Sequence, residues 1–143
     1  MRAEQISIFL ENKTGRLSEV TQTLAEAGVN IRALSLADTS DFGVLRLIVD
    51  NNEKAKAALK ARGFTMGKTN VVAVEVPDKP GGLHGILQVL QDSGINVEYM
   101  YAFVQQSGSN AVMIFRFDNT DQAVRVLQKA GHTVIEGSRL YTM

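Results

Sequence analysis

Lys79-Pro80-Gly81-Gly82-Leu83, followed by Ser93-Gly94-Ile95-Asn96-Val97, has an earlier version in the same chain. The earlier stretch is Lys13-Thr14-Gly15-Arg16-Leu17, followed by Ala27-Gly28-Val29-Asn30-Ile31, at an offset of 66 residues. Further on the offset becomes 68, pairing Val49-Asp50-Asn51 with Phe117-Asp118-Asn119 and Gly63-Phe64-Thr65 with Gly131-His132-Thr133. Seven of 34 positions are identical over residues 6–39 and seven of 24 over residues 43–66, and the matches fall at turns and caps, where backbone geometry restricts residue choice. The chain is therefore a duplication, divided at residues 1–69 and 70–143.

Each copy spells the same series of elements. Ile6 to Leu10 and Val71 to Val76 are short apolar runs suited to buried strands. Leu17, Val20, Leu24 and Ala27 recur at helical spacing, as do Leu83, Ile86, Leu87 and Leu90. Gly28 and Gly94 stand where a left-handed residue closes a helix. Ile31 to Ala37 with Val44 to Val49, and Val97 to Val104 with Ala111 to Phe117, read as hairpins around polar turns. Asn51 and Asn119 offer caps to second helices that Gly63 and Gly131 close. Last strands follow near Thr65-Met66 and from Val134 to Tyr141. The order β-α-β-β-α-β, twice, predicts an α+β fold of two ferredoxin-like units, antiparallel sheets with helices on one face. No Pro/Gly/Ser-rich linker separates the copies, so two closely packed halves are expected.

Composition narrows the function classes. Fifteen basic and fifteen acidic side chains cancel among 143 residues, which argues against bulk electrostatic binding to nucleic acid. At 45% hydrophobic and 21% charged, the chain is not a disordered one. Cysteine is absent, which excludes disulfides, zinc knuckles and cysteine nucleophiles, and with only two histidines, His84 and His132, a histidine-rich metal site is not expected. There is no membrane-length apolar run and no signal-peptide pattern at Met1-Arg2-Ala3-Glu4-Gln5, so a cytoplasmic protein without membrane association or cofactor is expected.

A ferredoxin-like unit hosts many functions, so the loops must carry the argument. Asn12-Lys13-Thr14-Gly15-Arg16-Leu17 and Asp78-Lys79-Pro80-Gly81-Gly82-Leu83 each lie between a first strand and a first helix, with Gly28-Val29-Asn30-Ile31 or Gly94-Ile95-Asn96-Val97 further on. This pattern resembles the ACT domain, the small regulatory module attached to many amino-acid biosynthetic enzymes. The second copy, with Asp-x-Pro-Gly-x-Leu, is close to the family pattern, whereas Asn12 and Thr14 depart from it in the first. The resemblance spans essentially the whole chain. It implies a non-catalytic regulatory protein that binds an amino acid or related carboxylate between this loop and the start of the second strand of a neighbouring unit. Carried over by position, the binding residues are Asn12, Gly15 and Asn30 in the first copy and Asp78, Gly81, Gly82 and Asn96 in the second. A loop glycine admits a ligand close to the backbone, and the helix N-terminus behind it favours a carboxylate. The same residues have plain structural readings: Gly15 and Gly81 as tight turns, Asn30, Asn96 and Asp78 as turn formers.

Other classes fit less well. Acylphosphatases share the topology and use a first-loop arginine, but Arg16 follows the loop glycine and enters the helix. RNA binding through the sheet needs exposed aromatics on central strands, and Val44 to Val49 has none. A scaffold that dimerises and holds a partner enzyme, without ligand, is the alternative reading. The family context points to an amino-acid or aromatic-acid metabolic enzyme as that partner. Apolar residues occupy both faces of the hairpin strands, with Val97, Tyr99, Tyr101 and Phe103 opposite Met100, Ala102 and Val104. A sheet apolar on both faces must be covered on both, so packed halves and a homodimer are expected.

Overall fold

The computed structural model describes residues 2–38 and 40–143. Met1, at which the first expected unit opens, and Thr39, within the turn expected for the first hairpin, lie outside the described residues. The elements run β1 (Ala3–Glu11), α1 (Arg16–Glu26), β2 (Ile31–Asp38), β3 (Phe42–Val49), α2 (Asn52–Ala61) and β4 (Thr65–Pro77). They continue with α3 (Gly82–Asp92), β5 (Val97–Ala102), β6 (Asn110–Phe117), α4 (Thr120–Lys129), β7 (Val134–Ile135) and α5 (Gly137–Thr142). Two compact units result, Glu4–Thr69 and Asn70–Met143, the latter taking in Arg2 and Ala3.

In the first unit the strands lie in the order β2-β3-β1-β4. Ile6, Ile8 and Leu10 of β1 pair across to Leu47, Leu45 and Gly43. Their shared face packs on Val20 and Leu24 of α1 and Ala55 and Leu59 of α2. The second unit repeats the order as β7-β4-β6-β5. Val72, Val74 and Val76 meet Phe115, Phe117, Ile86, Leu90 and Leu127 in its core. Phe115 and Phe117, two apart on β6, stack at 5.3 Å between ring centroids. Both units are α+β and ferredoxin-like, with α1 and α2 on one sheet face of the first and α3 and α4 on one sheet face of the second.

The helix ends follow from single residues. Val29 N–H donates to Leu24 O (2.9 Å) and Gly28 N–H to Ala25 O (3.0 Å), with Gly28 at φ 72°. This closure satisfies the last carbonyls of α1 and needs a left-handed residue. Ile95 with Gly94, Phe64 with Gly63, and His132 with Gly131 close the other three long helices in the same way. Asn51 and Asn119 cap α2 and α4, accepting from the Lys54 and Gln122 amides.

Three sequence expectations are corrected. The strand expected from Val134 to Tyr141 is two residues long and gives way to α5. Leu140 is fully buried there, and a Cβ on Gly137 would stand 2.5 Å from the Arg2 carbonyl oxygen, so tertiary packing decides the helix. The last strand of the first copy and the first strand of the second are one strand, β4. Val97 shares the face of Met100, not of Tyr99, because the register shifts between Val97 and Tyr99. A bulge puts one extra residue in the strand and reverses the alternation before it.

Arg2 reaches Asp121 at the start of α4, Nη2 to Oδ1 at 2.6 Å. The hydrogen bond and charge of Arg2 hold the Asp121 carboxyl below its ordinary range. A lowered folded-state pKa stabilises above the unfolded value, and that contribution disappears as pH falls through the folded one. An NMR titration is expected to show the Asp121 midpoint rising toward the ordinary carboxylate value in Arg2→Ala. An unchanged midpoint would contradict the pairing.

Candidate functional site

The loop between β1 and α1 turns sharply, since Gly15 at its end has φ 91°. The amide of Arg16 donates back to Lys13 O (3.3 Å), and that of Glu19 to Gly15 O (3.0 Å), which starts the helix. The second unit has the same turn: Gly81 at φ 84°, Gly82 N–H to Lys79 O (3.0 Å) and Gly85 N–H to Gly81 O (3.0 Å). A Cβ at Gly15 or Gly81 would meet nothing within 4 Å. The backbone conformation therefore demands glycine at both positions, and the space before each loop is open.

Neither α1 nor α3 has a side-chain cap, in contrast to α2 and α4. The first amides of a helix carry partial positive charge, and without a cap they face whatever occupies the loop. Gly82 differs from its neighbour: it is buried, and a Cβ there would lie 1.9 Å from the Pro77 carbonyl oxygen. It can meet a ligand only through its backbone.

Asn12 is tied to the β2–β3 turn, its amide donating to Asp41 O (2.8 Å) and its Nδ2 to Ser40 O (3.3 Å). Asp78, its counterpart, is exposed, and its carboxylate accepts no hydrogen bond among the described residues. Beside Asn12 a cleft of ≈ 60 Å³ opens between Lys13, Leu17, Leu36 and Gly43. That is about the space of two waters, too small for an amino acid unless another wall completes it.

Asn30 and Asn96 lie exposed at the starts of β2 and of the run into β5. The Asn30 amide donates to Asp50 Oδ1 (2.9 Å), and the Asp50 amide donates back to Asn30 O (3.1 Å). Asn96 and Asp118 repeat this at 3.1 and 3.2 Å. Asp50 and Asp118 thus fix the backbone of each asparagine and leave its side chain outward. The repeat pairs these two aspartates, a signal that sequence reasoning did not turn into a role. Within one unit the structure does not bring the asparagine and the loop together. α1 separates Gly15 from Asn30 by its 11 residues, about 16 Å of helix rise.

Among the described residues no group of three or more His, Asp or Glu side chains could hold a metal ion. None of their helices is long and apolar enough to cross a membrane.

No curated protein matches the chain significantly. Among solved structures, a Bacteroides thetaiotaomicron protein is 41% identical, with a TM-score of 0.93 over 100% of this chain and 98% of that one. The ligand-free regulatory subunit of aspartate kinase from Thermus thermophilus is 20% identical, with a TM-score of 0.63 over 90% and 92% of the two chains. Its counterpart from Thermus flavus is 16% identical, with a TM-score of 0.60 over 89% and 91%. The likeness to the two kinase subunits is one of fold. The family model described as an ACT domain pair matches residues 1–143. The chain belongs to the ACT domain pair family.

Proposed function

We propose that the protein is a non-catalytic regulator that binds an amino acid or related small carboxylate at the loops after β1 and β4, and responds by a change in assembly. The observation that carries this reading is the pair of uncapped helix N-termini, each behind a left-handed glycine with open space before it. A carboxylate there would satisfy amides that no side chain reaches. Asn12 and Asp78 lie on the same loops, three residues before Gly15 and Gly81, and would hold the ammonium. Asn30 and Asn96 are too far from the loop of their own unit, so they serve the loop of a neighbouring unit, such as one in a second copy of the chain.

The surface beside the first loop supports such an arrangement. β2 is the outer strand of its sheet, and Leu34 and Leu36 on it are 48% and 49% exposed. An outer strand presents unpaired backbone groups along with its side chains. A second copy seated on β2 would cover both leucines and wall the small cleft that Leu36 lines.

The two loops are expected to bind unequally. Pro80 fixes φ and stiffens the second loop, and Asp78 brings a charge that Asn12 lacks. Calorimetry that found two equivalent, independent sites per chain would contradict this. Sedimentation velocity, run alone and with each of the twenty amino acids, tests the reading as a whole. A dimer whose population shifts with one amino acid is expected. A 15.6 kDa particle throughout would overturn the assembly response. A dimer indifferent to every amino acid would favour the scaffold, in which the same chain holds a partner enzyme of amino-acid or aromatic-acid metabolism.

A further inference from the structure

Away from its loop, the first unit has a cavity of ≈ 460 Å³ between α2 and the start of β4, within the size range of small-molecule sites. Ile6 of β1, Ala57 of α2 and Met66 of β4 give it an apolar lining. Lys56 and Lys60 of α2 and Lys68 of β4 line it too. Residues three and four apart on a helix are neighbours, so Lys56, Ala57 and Lys60 share one stripe of α2. Ala55 and Leu59, on the adjoining stripe, fill the core. Met66 and Lys68 share a face of β4 by strand alternation.

The three ammonium groups are not equally occupied. Lys56 Nζ contacts the Glu4 carboxylate and lies 3.9 Å from that of Glu53. Glu53, the acid in the described lining, is 91% exposed and turned to solvent. Lys60 and Lys68 make no ion pair or hydrogen bond among the described residues. Two unpaired cations bordering one space raise the local concentration of anions.

The repeat shows that the fold does not need this set. At the offset of 68, the second copy has Val124, Gln128 and Glu136 where the first has Lys56, Lys60 and Lys68. Val124 packs against the core of its unit, and Arg125 stands in the place of the small Ala57. The lysine set belongs to the first copy alone.

Charge and donor type select the ligand. A carboxylate brings one negative charge and is best met by the two-pronged guanidinium, and the described lining holds no arginine. A phosphate monoester brings about 1.5 to 2 negative charges and three acceptor oxygens, which suits two separate ammonium groups. The apolar residues would cover the rest of such a molecule, and the Met66 thioether favours an aromatic ring. We propose that this cavity binds a phosphate monoester carrying an aromatic body, with its phosphate at Lys60 and Lys68 and its ring against Ile6, Ala57 and Met66. The inference is independent of the loop site, none of whose residues lines this cavity.

Calorimetry of the full chain with phenyl phosphate, inorganic phosphate and phenylacetate tests it. Phenyl phosphate is expected to bind, and the other two to bind more weakly. Lys60→Gln and Lys68→Gln should each weaken phenyl phosphate roughly 2- to 5-fold, the worth of an exposed ion pair, and together about 10-fold. Lys54→Gln removes the same charge from α2 outside the cavity and should leave the affinity as it was. Met66→Gln should weaken phenyl phosphate and leave inorganic phosphate unchanged, with circular dichroism as in the parent. No binding of phenyl phosphate, or binding indifferent to the Lys60 and Lys68 variants, would overturn the site. An equal loss in Lys54→Gln would also overturn it, since bulk charge would then be the cause. Loss in Gly15→Asp or Gly81→Asp with full affinity in the lysine variants would place the ligand at a loop instead. Phenylacetate binding as tightly as phenyl phosphate would overturn the phosphate assignment, and inorganic phosphate binding as tightly would overturn the aromatic body.

Discussion

Gly82→Ala is expected to destabilise the protein by about 3 kcal/mol or more, the upper range for overpacking a tight contact. The added methyl would lie 1.9 Å from the carbonyl oxygen of Pro77, the last residue of β4. That oxygen is already engaged, accepting from the Lys79 amide at 2.9 Å, so it cannot rotate away without opening the turn. The strand end and the first turn of α3 would have to part. Its neighbour behaves differently. At Gly81 a Cβ meets nothing, and only the left-handed backbone opposes a side chain, about 1 to 2 kcal/mol. Urea unfolding of the two alanine variants checks the contrast. Equal midpoints would show that the loop yields where it is drawn as rigid.

The second large effect is on binding. Gly81→Asp is expected to lower affinity for an amino acid or small carboxylate by about 100-fold or more, since it sets a carboxylate beside the amides meant for the ligand's own. The residue is exposed and its Cβ position is empty, so the unit should stay folded at the backbone cost just given. Titration calorimetry on the folded variant checks this. Retained affinity would remove the second loop from the site. Gly15→Asp makes the same test on the first loop, with a smaller expected change because Asn12 and Thr14 already weaken it.

Much of this was readable from residues whose roles are local. Gly28, Gly63, Gly94 and Gly131 announce helix ends because each ending needs a left-handed residue, and all four have positive φ. Asn51 and Asn119 announce helix starts because their side chains reach an amide three residues on. What escaped depends on partners distant in sequence. α5 forms where Val134 and Ile135 favour a strand, because Leu140 finds a buried seat and Gly137 fits against the backbone of Arg2 and Ala3. The register shifts between Ile31 and Ala33 and between Val97 and Tyr99 leave no compositional trace, yet they change which face a residue shares.

The candidate site was legible to the same degree. The two glycines and the loops around them are where the repeat put them. The separation of Asn30 from Asn12 and Gly15 follows only once α1 is seen to lie between them. Arg16 follows the loop glycine into α1, and the Phe64 ring under its guanidinium comes from the segment between α2 and β4. No reading along the chain would have joined them.

Thermal denaturation of the full chain with each of the twenty amino acids and common aromatic acids, repeated on the Gly15→Asp, Gly81→Asp double variant, tests the account most directly. A ligand present at 100 times its Kd stabilises the folded state by about 2.7 kcal/mol. The account predicts that at least one compound produces such a stabilisation and that the double variant loses it. A panel in which no compound raises the midpoint would contradict ligand binding by this ACT pair, and a stabilisation that survives in the double variant would contradict its placement at the loops.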